Sequence, residues 1–328
     1  MYPDTALEQR ILGPEVEVLH GGAPHTGTLD ALPDELCARV DGLLVFRHWL
    51  RAAHLARFPR LKVVVRMGVG YDRLDRAACA ARGITVCNVP DYGTQEVADH
   101  AITLALALRR GILLHHDLQR AEPPAAWRYL DHKLIRRAEV QGFGILGLGR
   151  IGTAVALRAK AFGFRVRFFD PHLPNGVDRA LGIARAGSLD ELMEGSDVLS
   201  IHVPDTPATR GLVGAAQLAR LPADAVVVNT ARGTSLDLDA LAEGLRDGRI
   251  AGAGLDVLPV EPPPEPPHPL LEAYRARAPW LLGRLVVTPH SAFHTPEAWA
   301  DIRQKSAETM RDVLLRRLRT NVIPPENV

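Results

Sequence analysis

Short apolar runs alternate with longer amphipathic or alanine-rich stretches along most of the chain. In the first third, Val16–Leu19, Leu43–Phe46, Lys62–Arg66 and Ile84–Val86 read as strands. Further along, Phe143–Leu146, Val166–Phe169, Val198–Ile201, Ala225–Asn229, Ala251–Leu255 and Leu285–Val287 read the same way. These runs are continuously apolar, as parallel strands buried on both faces require. Strand-then-helix repetition predicts a doubly wound α/β architecture. Two longer helices are expected as connectors. Thr94 caps one running to about Gln119, and its section Val97–Leu108 is apolar almost all round, so more than one side is covered. Thr295 as N-cap with Pro296 at the first helical position opens the other. Its Trp299, Ile302, Met310, Val313, Leu314 and Leu318 fall on one stripe, and the basic run 316–319 reads as a solvated face at the helix C-terminus.

A length of 328 residues allows two domains, each able to bury a core. The 39 Lys+Arg nearly balance 38 Asp+Glu, which weighs against a nucleic-acid binder needing a basic face. Three cysteines, Cys37, Cys79 and Cys87, make no metal-like pair, and their odd number suits a reducing, cytoplasmic compartment. No metal site is expected. The opening Met1-Tyr2-Pro3-Asp4 lacks the features of a secretory leader, and the longest apolar stretch, 101–108, falls far short of the ~20 residues of a membrane span.

Gly147-Leu148-Gly149-Arg150-Ile151-Gly152 follows one predicted strand and opens a helical run. The glycines permit a tight turn, close approach of a pyrophosphate and close helix–strand packing, while the helix N-terminus offers free N–H groups. Asp170 ends the next strand, 18 residues past Gly152, where a carboxylate accepts ribose hydroxyls. That predicts NAD; Arg150, Arg185 and His172 leave NADP open at this point. Arg232, Glu261 and His290 each follow a predicted strand and stand 29 residues apart in both steps. Carboxyl ends of parallel strands are where α/β sheets place ligands. The trio suits reduction of a 2-keto acid, whose carbonyl oxygen gains charge as hydride arrives at carbon. Arg232 would polarise and orient the substrate, His290 would be the general acid, and Glu261 would hold the imidazole and favour its protonated form.

These motifs, with Asn229-Thr230-Ala231-Arg232-Gly233 and Thr288-Pro289-His290, resemble the D-isomer-specific 2-hydroxyacid dehydrogenase family over nearly the whole length. Residues 155–163, Asp170-Pro171 and 176–182 look like its C-terminal-binding-protein branch. The resemblance implies two Rossmann-like and flavodoxin-like doubly wound domains, one nested in the other. The substrate domain would take 1–93 and 298–328, and the NAD-binding domain 94–297. It implies that Arg66, Gly68, Val69 and Gly70 belong to a substrate loop, with the Val69 and Gly70 N–H groups gripping a carboxylate. It adds Thr94, Gly147, Gly149, Arg150, Ile151, Gly152, Asp170, Val203, Pro204, Thr209, Thr230, Ala231, Arg232, Asp256 and His290 as cofactor-binding residues, Asp256 contacting the nicotinamide carboxamide. A homodimer through the NAD domain is also implied.

Three departures stand out. Phe293 replaces a tryptophan of the corepressor-type relatives, keeping the pocket aromatic. The stretch Glu272–Arg284 is long, its Tyr274, Trp280, Leu281 and Leu282 forming either a cap at the site's mouth or core packing. The chain also enters an amphipathic helix at Ala6 without the expected first strand. Either a strand lies upstream of this start or pairing from elsewhere replaces it. Two functions are carried forward: a D-2-hydroxyacid dehydrogenase, and an NAD(H)-sensing interaction protein of the corepressor type.

Overall fold

The computed structural model describes residues 4–22 and 26–325. Strands run in chain order as β1 (Thr26–Thr28), β2 (Gly42–Val45), β3 (Arg47–Trp49), β4 (Val63–Arg66), β5 (Thr85–Asn88), β6 (Gly142–Leu146), β7 (Arg165–Phe169), β8 (Ala184–Arg185), β9 (Val198–Ile201), β10 (Ala225–Asn229), β11 (Ile250–Leu255) and β12 (Leu285–Val287). Two compact units share them, Met1–Gly93 with His294–Val328, and Thr94–Phe293.

The Thr94–Phe293 unit is built on a seven-stranded parallel sheet ordered β12-β11-β10-β9-β6-β7-β8. Val226 and Val228 point into one apolar core, while Ala225 and Val227 point into another on the opposite face. Both faces are therefore covered, the physical reason the strand sequences are apolar without alternation. The chain reverses its winding between β6 and β9, the usual place for a ligand crevice at the carboxyl ends. The expected helix to Gln119 is in fact two, Thr94–Arg109 and Ile112–Arg120. Gly111, at φ +60°, takes the left-handed turn that separates them, a conformation the apolar pattern does not reveal. The stretch Glu272–Arg284 packs on the core: Tyr274 and Trp280 lie against it, and Arg284 donates to the carbonyls of Ile250, Ala251 and Trp280.

In the other unit a parallel sheet runs β2-β4-β5, beside a parallel pair of β1 with β3. Residues 321–323 run back along the outer edge of β5, where Ile323 N–H donates to Val86 O at 2.9 Å. At the opposite edge, β2 pairs with β4 alone, and no strand among the described residues lies on its outer side. Val16–Leu19, expected as a strand, is not one; its carbonyl at Val16 and N–H at Val18 are instead bonded by the amide of Gln9. A cavity of about 740 Å³ lies between that segment and β2, lined also by Leu29, Leu32, Phe58 and Met310. Alternating apolar residues alone could not hold a strand there without a neighbour at ladder distance.

Helix Ala6–Leu12 lies against helix Pro296–Met310, whose start is set by Thr295 accepting from Ala298 N–H. Arg303 forks onto the Glu8 carboxylate with two bonds of 2.7 Å, at a site where Glu8 is only 4 % exposed. Glu8→Ala removes both of these charge-assisted bonds and is expected to cost about 2–3 kcal/mol, read as a lower urea midpoint. The paired Glu8→Leu, Arg303→Met protein should recover most of the loss. A midpoint unchanged in the single variant would show the pair to be energetically idle.

Candidate active site

The groups at the carboxyl ends of the large sheet form two neighbouring sets. The first surrounds the turn after β6. Helix Arg150–Ala161 begins directly at the glycine turn, with Gly149 as its N-cap. A Cβ on Gly152 would meet the Gly147 carbonyl oxygen at 2.2 Å, so only glycine lets the helix start this close to the strand end. Asp170 lies at the end of β7, where its two carboxylate oxygens accept from the N–H groups of Leu148 (2.9 Å) and His172 (3.0 Å). Its oxygens are thus aimed at the rim of the glycine turn. Thr94 and Thr230 each bury a hydroxyl oxygen that has no hydrogen-bond partner. Buried polar atoms of this kind ask for a ligand or water. Gly149 and Arg150 are exposed and Ile151 and Val203 half-buried, while Thr209 donates to the Pro204 carbonyl at 2.5 Å and fixes that loop. The set fits a dinucleotide: exposed helix N–H groups for its phosphates, Asp170 for its ribose, unpaired hydroxyls beyond.

The second set follows β10, β11 and β12. His290 Nδ1 and Glu261 Oε2 are 2.6 Å apart, and the other Glu261 oxygen accepts from Leu258 N–H at 3.0 Å. Burial alone would push the Glu261 carboxyl up, but the bond and charge of His290, the Leu258 N–H and the Arg232 guanidinium together hold it below the usual carboxylate range. An ionised Glu261 can only accept, so the Nδ1 of His290 carries the proton in this bond. His290 sits at φ +52°, held there by its N–H bonds to the carbonyls of Asp256 and Thr288. Arg232 is positioned by a residue that the sequence reading passed over. Asn229, fully buried at the end of β10, donates to the Arg232 carbonyl (2.9 Å) and accepts from Ala231 N–H (3.0 Å). The signal was present: an amide side chain ending an otherwise apolar strand needs partners in the turn that follows. A Cβ on Gly233 would meet the Leu258 backbone at 1.9 Å, so glycine there lets the Arg232 turn approach the Glu261 segment.

Asp256, expected at the nicotinamide carboxamide, is 1 % exposed. Its oxygens accept from Thr288 Oγ1 (2.5 Å) and the N–H groups of Ser291 (2.9 Å) and Ala292 (3.0 Å). The carboxylate is committed to the His290 loop. Phe293 is half-buried at the end of that loop.

The expected substrate loop lies in the other unit, following β4. Arg66 donates to Met67 O at 2.5 Å, with its guanidinium over the Phe46 ring. The Asn88 amide takes the Val69 carbonyl at 2.8 Å and Val89 N–H takes the Gly68 carbonyl at 3.2 Å. The N–H groups of Val69 and Gly70 donate to no acceptor among the described residues. Adjacent unpaired amides of this kind form an anion-binding nest.

Comparison with known proteins gives the family. The NAD binding domain of D-isomer specific 2-hydroxyacid dehydrogenases matches residues 102–292. A glyoxylate reductase of Korarchaeum cryptofilum is 37% identical over 273 residues, 82% of this chain and 76% of that protein. A D-3-phosphoglycerate dehydrogenase of Methanocaldococcus jannaschii is 37% identical over 277 residues, 84% of this chain but 49% of that protein. The chain thus spans about half the length of that second relative. Among solved structures, D-lactate dehydrogenase from Aquifex aeolicus, complexed with NAD and lactic acid, superposes with a TM-score of 0.77 at 27% identity, covering 90% of each chain. A matched domain over more than half the chain, and a relative matched over most of both lengths, place the chain within the D-isomer specific 2-hydroxyacid dehydrogenase family.

Proposed function

We propose that this protein interconverts a 2-keto acid and a D-2-hydroxy acid with NAD, His290 serving as acid and base. The observation that carries the reading is the 2.6 Å His290–Glu261 bond beside Arg232, at the same sheet ends as the glycine turn and Asp170. When bound, NADH supplies the hydride. Arg232 polarises the carbonyl and orients the acid through its forked donors. His290 passes its Nε2 proton to the carbonyl oxygen, and the anionic Glu261 stabilises the imidazolium that this step consumes. The Val69 and Gly70 N–H groups and Arg66 take the substrate carboxylate, whose charge suits two unpaired amides and a guanidinium. Asp170 favours NAD, because a carboxylate repels a 2′-phosphate.

Several further assignments rest on the same reading. Ile112, Trp127, Tyr129, Val140, Leu157 and Phe162 are exposed on the NAD unit, apolar surface of the kind that the homodimer implied by the resemblance would cover. Among the described residues no helix is long and apolar enough to cross a membrane, and the cysteines are free thiols, which suits a cytoplasmic enzyme. The relatives compared above carry enzyme names, which favours turnover over the NAD(H)-sensing reading drawn from the corepressor-like stretches.

The test is a panel of 2-keto acids, glyoxylate, pyruvate and hydroxypyruvate among them, with NADH and with NADPH, followed by nicotinamide absorbance. Turnover of at least one acid, with NADH preferred by about tenfold or more, is the expected result. Tight NADH binding with no turnover across the panel would overturn the enzyme reading in favour of sensing.

A further inference from the structure

The loop that carries His290 hangs from β12, a three-residue strand paired on one side only, with β11. Four bonds from one residue hold it: Asp256 accepts from Thr288, Ser291 and Ala292 through its carboxylate and from His290 N–H through its carbonyl. Besides the His290–Glu261 bond, one from a helix reaches the loop. His100, in helix Thr94–Arg109, places Nε2 3.0 Å from Thr288 Oγ1 and 3.8 Å from the Asp256 carboxylate. The direction of that bond follows from valence. A carboxylate only accepts, so the single hydroxyl proton of Thr288 goes to Asp256. The Thr288 oxygen then has only lone pairs to offer, and His100 Nε2 must carry the proton between them.

We propose that His100 is a positioning residue for His290: its Nε2–H donates to Thr288, orients that hydroxyl on Asp256, and so ties the reactive loop to the long helix. The bonds run in one direction from His100 through Thr288 to Asp256. Each donor polarises the next, and the chain ends on the carboxylate that pins the two amides following His290. His290 holds a left-handed backbone conformation that a non-glycine residue adopts only when its surroundings impose it. Helix Thr94–Arg109 packs on β10 and β11 and on helix Arg150–Ala161, so the fixed end of the relay is the body of the NAD unit. Without His100, the Thr288 hydroxyl keeps its bond to Asp256 but loses the donor that fixes its oxygen from the helix side.

Two variants separate positioning from packing. His100→Leu fills the space without a donor, whereas His100→Gln keeps an N–H donor. This inference rests on the proposed acid–base role of His290, so one readout is independent of turnover. Hydrogen exchange at the Ser291 and Ala292 amides is expected to quicken by about tenfold in His100→Leu, with Ala253 in β11 unchanged, and to return toward the original rate in His100→Gln. In the keto-acid assay, kcat is expected to fall by about tenfold or more in His100→Leu with KM for NADH within about twofold, and to recover in His100→Gln. Unchanged exchange in His100→Leu, or equal loss in both variants, overturns the proposal. Should the unaltered protein reduce no acid, the enzyme reading fails while the exchange arm still decides whether His100 holds the loop.

Discussion

His290→Ala is expected to lower keto-acid reduction by about a thousandfold while NADH still binds, since an acid positioned at the reacting oxygen is worth about 10²–10⁴. The variant removes the proton donor and leaves the glycine turn and Asp170 untouched, so fluorescence titration with NADH should give an affinity close to the original. It also removes the two largest influences that hold the Glu261 carboxyl down, its bond to His290 and the charge of that ring. Burial is then opposed only by the Leu258 N–H and Arg232, and the Glu261 carboxyl should rise. The sign for stability follows. In the unaltered protein the native carboxyl lies below its unfolded value, so its stabilising contribution is full above the unfolded value and fades as pH falls through the native one. In His290→Ala the native carboxyl lies higher, so acid should cost the protein less of that increment. Turnover within about twofold of the original would remove the acid's role from this histidine.

How much of this could be read from residues alone follows from what sequence periodicity encodes. The central strands of the NAD unit, β6, β9, β10 and β11, were legible because each is buried on both faces, and a run such as Ala225–Asn229 cannot be mistaken for a half-exposed strand. The glycine turn, Asp170, Arg232, Glu261 and His290 were legible because parallel strands put their chemistry at one end, and spacing along the chain then becomes position in space. What stayed hidden was of a different kind. β1, β3 and β8 are two or three residues long and carry too little pattern to be seen. Val16–Leu19 reads as a strand but has no pairing partner among the described residues, and a ladder needs two edges. The holding roles of Asn229, Asp256 and His100 come from hydrogen bonds between residues distant in sequence, as with His100 and Thr288. Asp256 shows the limit best: the resemblance assigns it to the nicotinamide, and only the structure shows that its carboxylate also holds the His290 loop.

Arg232→Lys is the sharper test of the site's electrostatics, since it preserves the charge and changes only its shape. Arg232 stands on the turn that Asn229 and Ser235 both grip through its carbonyl, so the backbone under the side chain is fixed whichever residue occupies it. Lysine brings a compact ammonium where a planar fork stood, and it cannot make two parallel bonds to a carboxylate or to a carbonyl and carboxylate together. If charge near the developing oxyanion were all that mattered, lysine would serve. The proposed role asks for orientation as well, so kcat/KM for the preferred acid is expected to fall about a hundredfold in Arg232→Lys and about a further tenfold in Arg232→Ala. KM for NADH should stay within about twofold in both, because the nucleotide's phosphates and ribose are assigned to the glycine turn and Asp170. Loss of the guanidinium also removes one of the groups that lower the Glu261 carboxyl, and it does so equally in neither variant: lysine keeps part of the attraction, alanine none. The acid limb of the pH–rate profile should therefore move upward more in Arg232→Ala than in Arg232→Lys. Full activity in the lysine protein would reduce Arg232 to a point charge, and an unmoved acid limb in the alanine protein would detach it from Glu261.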